Sequence, residues 1–151
     1  MNLLNHVKIT PVLGYYAAGV TERKATTIID MAGYEGCMFV FMFGDLIAAG
    51  VINCKVVGNT TSATGGTNLA TAAVAHTVTT AEAALTKPTA IAIDVYQPDP
   101  GLFRYLEAIC DPDTQSEEIL GIIAIQYNGK VKPDPNAVLI DSKIKAFPAA
   151  A

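Results

Sequence analysis

Residues 36–43 of this 151-residue chain read Gly-Cys-Met-Phe-Val-Phe-Met-Phe and form its most densely apolar candidate strand. Neighbouring side chains of a β-strand point to opposite faces of its sheet. Both faces of this stretch are apolar, and strands covered on both faces lie inside a sheet rather than at its edge. We therefore predict a central strand with both faces covered. One face carries Cys37, Phe39, Phe41 and Phe43, and the other carries Met38, Val40 and Met42.

Runs of similar character recur along the chain, separated by turn signals such as Gln-Pro-Asp-Pro-Gly at residues 97–101. Short strands between such turns are typical of antiparallel sandwiches and barrels, not of alternating strands and helices. The sequence predicts an all-β protein, an antiparallel β-sandwich of about eight strands with jelly-roll or Greek-key connectivity. The other candidate strands are Val7 to Leu13, Ala25 to Asp30, Val51 to Gly58, Thr89 to Tyr96, Leu102 to Cys110 and Ile119 to Tyr127.

Two segments between these strands have a different composition. Residues 59–68 contain no large apolar side chain, which predicts a mobile surface loop. The segment from Leu69 to Leu85 is ambiguous. The alternation of Val74, His76 and Val78 favours a strand, whereas the Ala-rich end of the segment favours a single helical turn.

Length and composition indicate one domain that buries part of its surface against partners. The length suits a single domain over residues 1–151, with extended N- and C-terminal tails. Charged residues make up 16% of the chain and hydrophobic residues 51%, whereas charged residues are roughly 25% of an average soluble domain. The 10 basic residues are scattered and outnumbered by 14 acidic ones. We expect no nucleic-acid partner, because phosphate binding requires clustered Lys and Arg.

Membrane insertion and export are not expected either. The apolar run from Cys37 to Ile52 contains Asp45 and is shorter than the about 20 apolar residues of a membrane span. The first residues of the chain lack the apolar run of a secretory signal. Three cysteines are too few for a disulfide scaffold, which indicates a reducing compartment.

No set of side chains in the sequence points to catalysis, a cofactor or a metal. His6 and His76 have no carboxylate or cysteine at the spacing of metal ligands. Cys37, Cys54 and Cys110 lie within or at the ends of apolar strands, where cysteine usually packs as a small hydrophobe. We therefore do not expect the chain to be an enzyme.

Two charged segments have structural interpretations. The acidic segment from Asp111 to Glu118 lacks the glycine turn and the alternating acidic positions of a calcium loop. We interpret it as a solvated turn rather than a cation site. Arg104 lies between Phe103 and Tyr105, a setting in which Arg anchors an interface or pairs with a carboxylate such as Asp94.

Three blocks of the sequence together resemble a known family. The first is Ile-Asp-Met-Ala-Gly-Tyr-Glu-Gly at 29–36, running into Phe-Val-Phe-Met-Phe-Gly at 39–44. The second is Ile-Asp-Val-Tyr-Gln-Pro at 93–98 with Arg104-Tyr105, and the third is Gly-Ile-Ile-Ala-Ile-Gln-Tyr at 121–127 followed by Lys130 and Pro133. Their order and spacing resemble small structural proteins of tailed-bacteriophage heads, the capsid decoration or cement proteins.

The resemblance implies a non-enzymatic β-sandwich protein on the outer surface of the phage head, made in the bacterial cytoplasm. Its partners would be the major capsid protein and further copies of itself, as a homotrimer. Burying apolar surface across capsomer boundaries would stabilise the assembled shell by mass action. The residues expected to contact the capsid or another copy are Met1, Leu3, Leu4, Phe103, Arg104, Tyr105, Ile144 and Phe147.

Two other functions remain open at this point. The chain could be a neck or tail component present in few copies per virion. It could also be a soluble β-barrel that binds a small apolar ligand, because the stretches from Gly36 to Phe43 and from Ile119 to Tyr127 offer apolar faces. Copy number in the virion and a ligand bound to the purified monomer would distinguish these functions.

Overall fold

The secondary structure is almost entirely strand. The computed structural model describes residues 6–19, 23–25, 27–62, 70–84, 89–96, 104–112 and 117–128. The elements are β1 (Val7–Leu13), β2 (Arg23–Lys24), β3 (Ile29–Asp30), β4 (Gly36–Phe43), β5 (Val51–Asn59), β6 (Ala70–Thr77), α1 (Thr80–Ala83), β7 (Thr89–Tyr96), β8 (Tyr105–Pro112) and β9 (Ile119–Tyr127).

The strands form two antiparallel sheets. One has the order β1-β9-β4-β7, and the other has the order β2-β8-β5-β6 with β3 also paired to β8. Because β2 and β3 follow the same edge of β8, they act as one interrupted strand. The chain is then a nest of four antiparallel pairs: β1 with β9, β2 and β3 with β8, β4 with β7, and β5 with β6. This nested pairing is a jelly roll. The predicted β-sandwich is therefore confirmed, and of the two predicted connectivities the chain has the jelly roll.

β4 is a central strand, as predicted. All eight of its residues pair with β7, from Gly36 opposite Tyr96 to Phe43 opposite Thr89. On its other side β4 pairs with β9 along nearly its whole length. The strand with the largest apolar side chains therefore lies in the middle of its sheet.

The core lies between the two sheets and centres on β4. Cys37, Phe39, Phe41 and Phe43 are each 0% exposed. Across the sandwich, β5 and β8 contribute inward-facing residues to the same buried cluster, among them Ile52, Cys54, Val56, Leu106, Ala108 and Cys110. The prediction that the three cysteines pack as core hydrophobes is confirmed.

The prediction that both faces of β4 are covered is wrong. Met38, Val40 and Met42 point away from the second sheet and remain half-buried. The physical reason is that a two-layer sandwich covers each sheet on one face only. The described residues supply no third layer over this face of β4.

An irregularity in β9 sets which of its side chains face outward. The register with β4 shifts between Met42 and Phe43, next to Gly121, whose φ is 155°. Beyond the shift the inward positions include Ile122, while Ile123 faces outward and is half-buried. The apolar residues of the candidate strand from Ile119 to Tyr127 are thus divided between the core and the outer surface.

Four strands have the predicted bounds and the others differ. Of the predicted strand from Ala25 to Asp30, only Ile29–Asp30 forms a strand, β3, and the two-residue β2 comes before that range. The strand predicted from Leu102 to Cys110 is β8, which runs from Tyr105 to Pro112. β5 extends to Asn59, so the first residue of the predicted loop at 59–68 is in a strand. Residues 63–68 of that loop lie outside the described residues.

The ambiguous segment contains both of the predicted elements. β6 includes Val74 and His76 and ends one residue before Val78, and α1 is a single turn that follows it. Thr79 caps α1: its hydroxyl accepts a hydrogen bond from the Glu82 backbone N–H at 3.2 Å, and the Glu82 carboxylate accepts one from the Thr79 backbone N–H at 2.7 Å. This capping box satisfies the free backbone donors at the start of the turn. Within the described ranges no helix has the length and apolar character needed to cross a membrane.

Replacing Phe41 tests the importance of the β4 core face. Phe41→Ala removes a 0% exposed ring and should lower the free energy of unfolding by about 3–5 kcal/mol. Met42→Ala, at the neighbouring half-buried position on the outer face, should cost clearly less. Urea denaturation followed by circular dichroism measures both, and equal losses would contradict the assignment of the two faces.

Candidate assembly surface

The outer face of the sheet β1-β9-β4-β7 is apolar across all four strands. Residues in register on neighbouring strands share a face, so the outward set follows from the pairing of each strand. We call this set the outer apolar face. It consists of Val7, Ile9 and Pro11 from β1, Ile123, Ile125 and Tyr127 from β9, Met38, Val40 and Met42 from β4, and Ala90, Ala92, Asp94 and Tyr96 from β7.

Burial varies across the outer apolar face. Val7 and Ile9 are each 5% exposed. The residues of β4 and β9 in the middle of the face are half-buried, and Ala90 and Ala92 on β7 are exposed. Solvent therefore reaches a continuous apolar surface over β9, β4 and β7, and contiguous surfaces of this kind mark interaction sites.

A tyrosine pair closes one end of the outer apolar face. Gly36 on β4 lies in register between Tyr96 on β7 and Tyr127 on β9. The two rings stack with centroids 6.3 Å apart and planes 10° apart. Gly36 permits this, because a Cβ atom at that position would lie 2.1 Å from the Tyr127 ring.

Asp94, the charged member of the outer apolar face, is bound by Tyr127 of this tyrosine pair. The Tyr127 hydroxyl donates a hydrogen bond of 2.7 Å to Asp94 Oδ1. Burial and this hydrogen bond raise the pKa of Tyr127 above its ordinary value. The charge thus lies at the end of the face beside the tyrosines, and the middle of the face is uncharged.

Sequence reasoning did not find this cluster of Gly36, Asp94, Tyr96 and Tyr127. A signal was available, since both tyrosines end strands and a glycine begins β4. That signal becomes informative only once the register of the three strands is known, because the four residues are far apart in the sequence.

Arg104 pairs with Asp30 and not with Asp94. Its Nε and Nη2 atoms donate to the two carboxylate oxygens of Asp30 at 2.9 and 2.8 Å. The guanidinium group also lies 5.1 Å from the centre of the Tyr105 ring. The pairing of β3 with β8 places Asp30 opposite Tyr105 and beside Arg104, so a partner 74 residues away replaces the predicted one.

Asp30 also links the two sheets. Its backbone carbonyl oxygen accepts a hydrogen bond of 2.8 Å from Gln126 Nε2 on β9, and Gln126 is 1% exposed. The hydrogen bonds from Arg104 lower the pKa of the Asp30 carboxyl, and a backbone N–H from Ala32 adds to this. The Arg104 ion pair therefore stabilises the edge of the sandwich at β3, through contacts within the chain.

Two of the predicted contact residues, Arg104 and Tyr105, lie in the described part of the chain, where their side chains contact each other. Arg104 and Tyr105 lie beside and on β8 of the second sheet, away from the outer apolar face. The other predicted contact residues lie outside the described residues: Met1, Leu3, Leu4, Phe103, Ile144 and Phe147.

The interpretation of the acidic segment as a solvated turn is wrong for Glu117. Glu117 is 0% exposed, and Gly50 allows its approach, since a Cβ there would lie 2.3 Å from Glu117 Oε1. Oε1 accepts a long hydrogen bond of 3.4 Å from the Ile47 N–H, and the buried Oε2 has no hydrogen-bond partner. Burial raises the pKa of this carboxyl, and the backbone hydrogen bonds oppose that rise.

The remaining polar candidates show no convergent chemistry. His76 Nε2 lies 3.1 Å from Glu82 Oε1 on the neighbouring helical turn. Burial raises the pKa of the Cys37 thiol well above its ordinary value, which leaves it a poor nucleophile. Among the described residues, no group of three or more His, Cys, Asp or Glu side chains could hold a metal ion.

Comparisons with known proteins find remote structural likenesses, among them a pilus chain and a virus chain. No protein-family model and no curated protein matches the sequence. A chain of Bacillus endospore appendages, described as a novel family of disulfide-linked pili, is 12% identical with a TM-score of 0.38, over 84% of this chain and 92% of its own length. A chain of infectious bursal disease virus, Gt strain, is 13% identical with a TM-score of 0.45, over 84% of this chain and 33% of its own length. At TM-scores below 0.5 neither likeness establishes a common fold or role.

Gly36→Ala tests the tyrosine pair. The added Cβ would displace the Tyr127 ring, which should weaken the stack with Tyr96, break the hydrogen bond to Asp94 and cost about 1–3 kcal/mol of unfolding free energy. The control is Gly14→Ala, where nothing lies within 4 Å of the added atom. Urea denaturation and the near-ultraviolet tyrosine signal measure the effect. An unchanged tyrosine signal in Gly36→Ala would contradict the arrangement.

Glu117→Gln tests the buried carboxylate through the pH dependence of stability. Because the pKa of Glu117 is raised in the folded chain, its ionisation opposes folding as pH rises above the ordinary value of 4.5. The variant cannot ionise there, so its unfolding free energy relative to the wild type should increase as pH rises from 4.5 towards neutrality.

Glu82→Gln provides a control of opposite sign. Hydrogen bonds from Thr79 lower the pKa of Glu82, so its ionised form favours the folded state. This variant should lose stability relative to the wild type as pH rises above the folded-state pKa. Urea denaturation over the pH series measures both variants, and trends of the same sign would overturn the assignment for Glu117.

Proposed function

We propose that this chain is a non-enzymatic structural protein of a virion that decorates the outer surface of a tailed-phage head and stabilises the shell across capsomer boundaries. The observation that carries the proposal is the outer apolar face, which solvent reaches over three neighbouring strands, β9, β4 and β7. A surface of this kind is stable in water only at a cost, and a partner that covers it recovers that free energy.

The fold is compatible with this function without deciding it. Double-sheet jelly rolls occur in viral capsid domains, in lectins and in cupins. A shared fold does not by itself define a function. The chemistry of the surface therefore has to distinguish a capsid protein from a lectin or a cupin. Lectin and cupin sites depend on polar or metal-binding side chains, whereas the middle of the outer apolar face is uncharged.

We take the partner of the outer apolar face to be the major capsid protein. The uncharged middle, formed by Val40, Ile123 and Ile125, suits an apolar patch on the shell. Apolar burial contributes about 25 cal/mol per Å². If the matching patch forms only where assembled capsomers meet, binding favours the assembled shell by mass action.

The homotrimer implied by the resemblance remains part of the proposal. A trimer would place three copies of the outer apolar face around one capsomer junction, and multivalent attachment strengthens binding without new contacts in each copy. Arg104 and Tyr105, on the second sheet, are then available for contacts between copies rather than with the shell.

No observation favours the two alternative functions. A neck or tail component would use the same apolar chemistry in fewer copies. The ligand-binding alternative required a barrel, but the strands form two separate sheets. The inward residues of β4 and β9 on which that alternative depended pack together in one buried cluster.

Val40→Asp tests the proposal by placing a charge in the middle of the outer apolar face. The variant should fold, because Val40 is half-buried and outside the core. Its amount on purified phage heads, relative to the major capsid protein, should fall at least about tenfold, which corresponds to about 1.4 kcal/mol. Quantitative mass spectrometry of heads incubated with each variant measures the ratio.

Asn53→Asp is the matched control, since Asn53 is half-buried and faces outward from the second sheet. It should bind heads like the wild type, which we expect in near-stoichiometric amount with the major capsid protein. A low fixed copy number of the wild type would support a neck or tail position instead. Absence from virions, or equal binding of Val40→Asp and Asn53→Asp, would overturn the proposal.

A further inference from the structure

The two central strands of the second sheet bring two thiols together. Cys54 on β5 lies directly opposite Cys110 on β8. The flanking pairs, Asn53 with Asp111 and Lys55 with Ile109, keep the same register, so no bulge separates the cysteines. Both side chains face the interior of the sandwich and are 0% exposed, and both are free thiols.

The backbone geometry permits a bond between the two sulfur atoms. Directly opposed residues of antiparallel strands have Cα atoms about 4.5–5.5 Å apart, and disulfides accept Cα separations of about 4.4–6.8 Å. Residues opposed in register point to the same face of the sheet. A hydrogen bond with Cys110 raises the pKa of the Cys54 thiol, in keeping with two side chains that face each other.

The third cysteine has a different environment. Cys37 lies on β4 in the other sheet, opposite Val95 on one side and Gln126 on the other. It therefore has no cysteine in register. The expectation that three cysteines do not build a disulfide scaffold does not exclude one bond between two residues that the register places together.

We propose that Cys54 and Cys110 form an intrachain disulfide between β5 and β8 when the chain folds in the presence of a small disulfide oxidant such as glutathione disulfide. The bond joins the two middle strands of the sheet opposite the outer apolar face. It is independent of the proposed attachment to a phage head.

The oxidation proceeds by two thiol–disulfide exchanges. The thiolate of one cysteine attacks glutathione disulfide, forms a mixed disulfide and releases one glutathione. The thiolate of the second cysteine attacks the protein sulfur of the mixed disulfide and releases the other glutathione. The protein loses two hydrogen atoms in total, and the two released glutathione thiolates take up the protons.

Burial determines when these exchanges occur. In the finished sandwich the Cys110 hydrogen bond and burial raise the pKa of the Cys54 thiol, and neither sulfur is accessible to the oxidant. The exchanges therefore take place during folding, before β5 and β8 are covered. The native reduced protein should react slowly with the same oxidant.

The test uses the full chain with Cys37→Ala, which leaves only the proposed pair. The protein is unfolded in urea with reductant and refolded in a mixture of reduced glutathione and glutathione disulfide. Tryptic digestion without reduction then yields peptide 25–55 with Cys54 and peptide 105–130 with Cys110. We expect the two peptides to be linked, lighter by two hydrogens than their sum, and separated by reductant.

A change in stability should accompany the bond. The disulfide restricts the unfolded chain, so the urea midpoint of the oxidised protein should exceed that of the same protein after reduction. Cys54→Ala in the Cys37→Ala background is the control, and its midpoint should not respond to the glutathione mixture. Native gel filtration should show that the oxidised protein has the same size as the reduced one.

A second measurement covers the case in which Cys37→Ala does not fold. Wild-type chain refolded in the same mixture is treated with iodoacetamide in denaturant. Its intact mass gives the number of alkylated cysteines, and fragmentation of its peptides shows which cysteine carries the label. A single label at Cys37 supports the proposal. A single label at Cys54 or Cys110, labels on all three cysteines, or disulfide-linked dimers on a non-reducing gel would overturn it.

Discussion

The packing of one face of β4 (Gly36–Phe43) against the second sheet is the interaction on which the rest of the structure depends. Phe39, Phe41 and Phe43 are each 0% exposed and lie at the centre of the buried cluster. Strand geometry then directs the alternate residues of β4 outward. The same eight residues that build the core therefore also create the middle of the outer apolar face.

The jelly-roll pairing extends this consequence to the neighbouring strands. β9 and β7 flank β4 and add Ile123, Ile125, Ala90 and Ala92 to the outward set. Asp94 is bound by Tyr127 at one end of the face, and Arg104 is bound by Asp30 away from it, beside the second sheet. The outer apolar face therefore has an uncharged middle and a hydrogen-bonded carboxylate at one end.

Alternation and turn residues were sufficient to predict local structure. β1, β4, β7 and β9 begin and end at the predicted residues, because each is a continuous β-branched or aromatic run between clear breaks. Local pattern could not predict features that depend on pairing between distant strands. The Arg104 ion pair, the burial of Glu117 and the opposition of Cys54 and Cys110 all depend on register. Nor could an apolar pattern alone show that the described residues supply no covering layer over the second face of β4.

The proposed function requires that the outer apolar face meets the shell. A cryo-electron microscopy map of phage heads saturated with the wild-type chain would show which side of the sandwich touches the capsid. We expect density for the sandwich on the outer head surface, with β9, β4 and β7 turned towards the capsid protein. Density in which the sheet β2-β8-β5-β6 touches the capsid and the outer apolar face points to solvent would contradict the proposed function.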